Sequence, residues 1–235
     1  MGIPEKRALV LLSGGLDSAT ALAVTMSKFD EVFALTFKYG QRHEVEIEAA
    51  RKIAGVFGVT GHKFLHLNLR EIGGSALTDD IEVPVNRSDV EIAGGIPITY
   101  VPARNAIFLT VAMGYAEVNH IANIVIGVNS LDYSGYPDCR PEFIDAFQAM
   151  ANLALKATVE REFKIKIEAP LIHLKKSEII RTGNELGVDF SICISCYDPG
   201  ENGEACGECD SCILRRKGFE EAGIADPTIY RQPVK

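Results

Sequence analysis

The 235-residue chain has no tryptophan, only 4 methionines and 5 histidines, and no long unbroken apolar run. A membrane-spanning helix needs about 20 consecutive apolar residues, so no membrane span is expected. The histidines, His43, His62, His66, His120 and His173, form no ligand-like pair on a helix, and none is assigned to a metal. Positive charge is also in short supply. The 24 lysines and arginines are outnumbered by 32 aspartates and glutamates, for a formal charge of −8. Nonspecific nucleic-acid binding draws on counterion release at a basic surface, so no nucleic-acid partner is expected. A small anionic ligand remains compatible, because a local phosphate site rests on backbone amides rather than on net charge. No signal-peptide cleavage pattern follows Met1 to Arg7, and the cytoplasm is the expected location.

What is present is ordinary globular usage, 47% hydrophobic and 24% charged. The length suits one α/β domain with an appendage, divided here into residues 1–188 and 189–235. Five of the 6 cysteines fall between Cys193 and Cys212. In a reducing compartment such clustering reads as metal binding rather than disulfides.

Short apolar runs alternate with helical periodicity. Strands are expected over Ala8–Leu12, Val32–Phe37, Lys63–Leu69, Ile121–Val128 and Ile165–Ala169. Helices are expected over Ser18–Lys28, Glu44–Phe57, Asn105–Val118, Pro141–Leu155 and Lys175–Leu186, the last ended by Gly187. Residues 70–103, rich in Gly, Pro, Asp and Thr, read as a long functional loop. The alternation predicts a doubly wound parallel sheet with ligands at the carboxyl ends of its strands. From about Asp189 the tail has no hydrophobic periodicity until Ile213–Ala222, so it needs another source of order.

Ser13-Gly14-Gly15-Leu16-Asp17-Ser18 lies between the first strand and the first helix. Adjacent glycines let the backbone turn tightly and approach a ligand without a β-carbon in the way. The amides opening the next helix, with its dipole, suit a pyrophosphate. Ser13 and Ser18 offer hydroxyl donors. Asp17 would repel phosphate directly, so it is expected to orient the loop or hold magnesium. The plainer reading is a strand-to-helix turn with Ser18 or Asp17 as N-cap. The stretch is neither a P-loop, which ends in Gly-Lys-Ser/Thr, nor a dinucleotide fingerprint.

Cys206, Cys209 and Cys212 recur at three-residue intervals, with Cys196 ten residues upstream. Four thiolates close the tetrahedral shell of a structural zinc ion, and metal-binding energy then becomes folding energy. Cys193 also pairs with Cys196 as Cys-x-x-Cys, so spacing leaves the fourth ligand open, and an iron–sulfur cluster is the rival occupant. Arg215, Arg216 and Lys217 follow at once and would offset the negative charge of a tetrathiolate zinc.

The Ser13–Ser18 loop resembles the PP-loop of the N-type ATP pyrophosphatases, which transfer AMP to a carbonyl oxygen and release pyrophosphate. Further stretches are similar to the 7-cyano-7-deazaguanine synthase family. They are Tyr100 to Asn105, Asp132 to Phe143, Pro170-Leu171 with Lys176, and Ser195-Cys196-Tyr197 followed by Cys206, Cys209 and Cys212. The resemblance implies that 7-carboxy-7-deazaguanine, ammonia and ATP yield the nitrile, in a homodimer carrying one Zn2+ per subunit on Cys196, Cys206, Cys209 and Cys212. It implies an ATP site, with Mg2+, over Val10, Leu11, Leu12, Ser13, Gly14, Gly15, Leu16, Asp17, Ser18, Ala19 and Thr20, with Lys176, Asp17 and Ser13 catalytic. Arg104 is a candidate for the substrate carboxylate, and Asp132, Ser134, Asp138 and Arg140 for the deazaguanine ring. Cys139 reads as a buried thiol rather than a nucleophile. Two rival readings are a PP-loop tRNA-thiolating enzyme, against which the charge of −8 counts, and a noncatalytic zinc-ribbon module, which would have no need of the intact loop.

Overall fold

Within the first strand, side chains divide by parity. Ala8, Val10 and Leu12 join one apolar cluster, whereas Leu9 and Leu11 join another. Successive strand side chains point to opposite faces, so a strand apolar at every position is covered on both sides. The same parity holds for Val32 and Ala34 against Leu35 and Phe37, and for Val125 against Ile124 and Ile126. These alternations predict a three-layer arrangement. The computed structural model, which describes residues 4–40, 45–131 and 136–231, has it.

Five parallel strands form one sheet: β1 (Arg7–Leu11), β2 (Glu31–Lys38), β3 (Gly61–His66), β4 (Asn123–Ile126) and β5 (Lys166–Glu168). Their spatial order is β3-β2-β1-β4-β5. The chain winds outward from β1 to β3 and then returns to β1's other edge. The carboxyl ends of β1 and β4 thereby diverge, which opens a crevice at the switch point. Helices α1 (Leu16–Met26) and α2 (Val45–Phe57) cover one face. A short helix, α3 (Asp89–Ile92), interrupts the 70–103 loop. Helices α4 (Arg104–Val118) and α5 (Pro141–Ala154) cover the opposite face, and the one-turn α6 (Lys156–Val159) follows. Helix α7 (Lys176–Glu185) and helix α8 (Asp210–Ala222) return to the α1 side, where Phe219 packs with Leu16, Ile179 and Phe190.

The third strand differs from its expected span of Lys63–Leu69. It begins at Gly61, paired with Phe33, and ends at His66. The apolar Leu67 and Leu69 lie past its end, and Leu69 is buried in a 3-10 turn. As an edge strand β3 is only partly covered, so its apolar pattern does not mark its limits. Helix α1 starts at Leu16, two residues before the expected Ser18, with Gly15 as N-cap rather than Asp17 or Ser18. Glu44, the expected first residue of the second helix, lies outside the described residues.

Candidate active site at the switch point

Beyond Leu11 the chain turns through Ser13, Gly14 and Gly15 before α1 begins. Gly14 has φ +92°, and a β-carbon on it would lie 2.3 Å from the Glu46 carbonyl oxygen. Only glycine meets both conditions, so the pressure of α2 on the turn fixes its path. The serines then tie it. The Ser18 hydroxyl accepts from the Ser13 amide at 3.2 Å and donates to the Gly15 carbonyl at 2.9 Å. The Gly15 amide donates to Ser13 Oγ at 3.3 Å. The first-turn amides of α1 have no acceptor within the helix, so its N-terminus suits an anion.

Lys176, the first residue of α7, brings a cation to this turn. Its Nζ donates to Asp17 Oδ1 at 2.8 Å and Oδ2 at 2.9 Å, and the residue is 9% exposed. Asp17 therefore holds the lysine, a contact beyond the role in orienting the loop or holding magnesium that the sequence suggested. The lysine stem runs across α8, where a β-carbon on Gly218 would sit 2.3 Å from Lys176 Cγ. Gly218→Ala is therefore expected to displace Lys176 and lower kcat at least tenfold. Overpacking of this kind costs about 1–3 kcal/mol, so the variant should remain folded. Steady-state rates beside a thermal melt check this, and an unchanged rate refutes it.

Ser13, Gly15, Asp17, Ser18 and Lys176 line one side of a cavity of about 260 Å³. Of the wider ATP stretch, Leu11, Leu12 and Leu16 also border it, while Val10, Ala19 and Thr20 are buried behind it. Tyr39, Glu46, Arg104, Asn105, Phe108, Tyr136 and Cys139 line the far side. Phe37 and Phe108 stack there, with centroids 4.3 Å apart and planes 11° apart. Glu46, Tyr39 and Phe108 carry no local sequence motif. They come together because α2, β2 and α4 converge on one crevice.

The candidates from the middle motif divide. Asp138 is buried and turned under α4: its Oδ2 accepts from the Asn105 amide at 2.9 Å, and its carbonyl accepts from Asn105 Nδ2 at 3.2 Å. Cys139 Sγ accepts from the same Nδ2 at 3.3 Å. Arg140 is exposed at the N-cap of α5, off the cavity. Asp132 and Ser134 lie outside the described residues.

Burial raises the Cys139 thiol to about 12, aided by Asp138 and opposed by Arg104 and Asn105. It is a neutral thiol at physiological pH, in line with the buried-thiol reading. Removal from water lifts the Glu46 carboxyl to about 7, against a smaller downward pull from Arg104. A carboxyl that holds its proton more tightly in the folded chain than in the unfolded one makes stability fall as pH rises, here between 4.5 and 7. At about 1.4 kcal/mol per unit the loss reaches about 3 kcal/mol. Glu46→Gln removes it. The variant is expected to melt roughly 5–10 °C above the parent near pH 8 and level with it near pH 4. Parallel melts at the two pH values check this.

The tail supplies the cavity's last wall. The Ile194 amide donates to the Gly14 carbonyl at 3.0 Å, and Ile194, Ser195 and Tyr197 line the cavity. Just behind them the ligand atoms of Cys196, Cys206, Cys209 and Cys212 lie within 4.8 Å of one another. Cys206 Sγ and Cys212 Sγ are 3.9 Å apart. A tetrahedron with metal–sulfur bonds of about 2.3 Å has edges of about 3.8 Å, so the spacing fits a tetrahedral ion. Backbone amides of Asp198 and Cys206 donate to Cys196 Sγ at 3.3 and 3.2 Å, and those of Glu208 and Cys209 to Cys206 Sγ at 3.4 and 3.3 Å. Such donors favour the thiolate form. Cys193 falls in a different apolar cluster, burial lifting its thiol to about 12. Arg215 faces away from the sulfurs in its bonds, reaching Asp226 at 3.1 Å and the carbonyls of Phe190 and Cys193 at 2.9 and 3.3 Å.

Comparisons with known proteins bear on the fold and the family. The NMN synthetase of Francisella tularensis is similar in fold, with a TM-score of 0.51 at 16% identity over 94% of this chain and 79% of that one. In sequence, the 7-cyano-7-deazaguanine synthase of Solidesulfovibrio magneticus is 60% identical over 97% of both chains. That of Syntrophus aciditrophicus is 59% identical over 95% of this chain and 97% of its own. A family model described as "Queuosine biosynthesis protein QueC" matches residues 7–223, from the first strand to the end of α8. With glycine turn, lysine and cysteine cage all inside the matched span, the chain belongs to the QueC family.

Proposed function

We propose that this chain is a ligase that converts 7-carboxy-7-deazaguanine and ammonia to 7-cyano-7-deazaguanine with ATP. The observation that carries the reading is the Lys176–Asp17 pair beside the glycine turn, on the rim of an aromatic-walled cavity. Amides at Gly14 and Gly15, with Ser13 and Ser18, hold the pyrophosphate of ATP, and Mg2+ accompanies it. A carboxylate resists ammonia because its carbon is electron-rich and oxide is a poor leaving group. Its oxygen therefore attacks the α-phosphorus and pyrophosphate leaves. Ammonia adds to the acyl carbon, AMP leaves, and a proton is lost to give the amide. A second ATP activates the amide oxygen in the same way. Loss of AMP and the remaining N–H protons gives the nitrile. Lys176 stabilises the charge developing on phosphate, and Arg104 holds the substrate carboxylate bidentately.

Zn2+ on the four cysteines is structural, since four protein thiolates leave no open position. Residues 1–188 then form the catalytic unit and 189–235 the metal-ordered segment. A cytoplasmic homodimer follows from the resemblance and is tested by sedimentation. The assignment itself is tested by incubating the purified protein with ATP, ammonium and the acid. Mass spectrometry should find the nitrile with pyrophosphate; persistence of the acid beside protein that binds ATP overturns the reading.

A further inference from the structure

Glu46 and Arg104 are oppositely charged and share the cavity wall, and neither belongs to the phosphate turn. Glu46 lies in the first turn of α2, whose Glu46 carbonyl presses on Gly14, so its backbone is fixed against the nucleotide turn. Arg104 opens α4 and shares the cavity wall with Tyr39. Phe108 and Tyr39, with ring centroids 5.4 Å apart, supply flat apolar wall beside them. A ring bound there meets an arginine that only donates and a carboxylate that, ionised, only accepts.

That order of groups has a chemical complement. On a 7-deazaguanine the C7 substituent lies next to O6, and N1–H and the 2-amino group follow along the same edge. A C7 carboxylate and O6 are acceptors; N1–H and the 2-amino group are donors. Adenine offers one donor and one acceptor on the corresponding edge, so a carboxylate cannot take two bonds from it. Resting on the reading under Proposed function, we infer that Glu46 is the specificity-determining residue that accepts N1–H and the 2-amino group, while Arg104 beside it meets O6 and the C7 carboxylate. The pair thereby separates the guanine-type substrate from the adenine of ATP in one crevice.

The test compares the full chain with Glu46→Gln, using 7-carboxy-7-deazaguanine and its analogue without the 2-amino group, 7-carboxy-7-deazahypoxanthine. Hydrogen bonds to charged groups contribute about 10- to 150-fold each. The parent should therefore prefer the amino-bearing substrate about 100-fold in kcat/KM. Glu46→Gln, whose amide oxygen can still accept N1–H while its NH2 group faces the 2-amino group, should lower kcat/KM for that substrate about 100-fold, mainly through KM, and lower that of the analogue by no more than about tenfold. KM for ATP should stay the same. A matching fall for both substrates, or a loss confined to ATP or magnesium dependence, overturns the assignment in favour of a role in proton transfer or metal binding. Equilibrium binding of 7-deazaguanine against 7-deazahypoxanthine reads the same edge without turnover. Equal affinity, or binding of neither, overturns the inference whether or not the nitrile forms. A preference for 7-deazaguanine that survives Glu46→Gln overturns it too.

Discussion

Replacing Lys176 by methionine is expected to lower kcat by about three orders of magnitude while leaving the chain folded and its metal content unchanged. The expectation rests on position. Lys176 Nζ is held by both oxygens of Asp17, which is in the first turn of the helix that the glycine turn opens. A cation fixed before the reaction starts needs little reorganisation when charge develops on phosphate. Removing one such preorganised group costs about 10²- to 10³-fold, and more where phosphoryl charge is involved. Methionine keeps the stem that α8 packs against and deletes only the charge. Asp17, then unpaired, is 27% exposed at its side chain and can be hydrated, so the fold should tolerate the change. Single-turnover rates of pyrophosphate release, beside ATP affinity and a thermal melt, make the measurement. A drop below tenfold refutes it.

Removal of the metal that the four cysteines would hold is expected to have the second largest effect, disabling the nucleotide site although no cysteine of the cage faces the glycine turn's phosphate position. Between Cys193 and Cys209 the described backbone is mostly irregular, tied by single contacts such as Ala205 amide to Ile229 carbonyl at 2.8 Å. A structural zinc contributes about 10–16 kcal/mol in small domains, as much as whole domains have in net stability. Without it the segment loses its main source of order. Ile194, two residues from Cys196, then releases the Gly14 carbonyl it holds at 3.0 Å. Chelation, or Cys209→Ser, should expose residues 193–231 to proteolysis and weaken ATP binding at least tenfold, with the sheet still folded. Limited proteolysis and nucleotide titration are the readouts. Unaltered ATP affinity in metal-free protein would falsify the coupling.

Features written in short periods were legible in the sequence. The continuous apolar run Ala8–Leu12 marked β1, and the paired glycines marked the turn after it. Three-residue cysteine spacing marked the cage, and the geometry selects Cys196 over Cys193 as its fourth member. What depends on distant convergence was not legible. Glu46 comes to share a cavity wall with Arg104 only because β2 and α2 lie on one side of β1 and α4 returns on the other. Asp138 was a plausible ring partner by type, yet the free amide at the start of α4 claims its carboxylate. Nothing local to Tyr136–Arg140 announces that demand, because the helix it serves begins more than thirty residues earlier.

Ile194, which lines the pocket, and Gly218, which backs the lysine that does, both come from the last fifth of the chain, whereas the pocket's turn was made in the first tenth. On a ribosome, the glycine turn emerges long before the segment that closes over it. A nascent chain therefore lacks the last wall of the crevice until its final fifth has been made and has folded back.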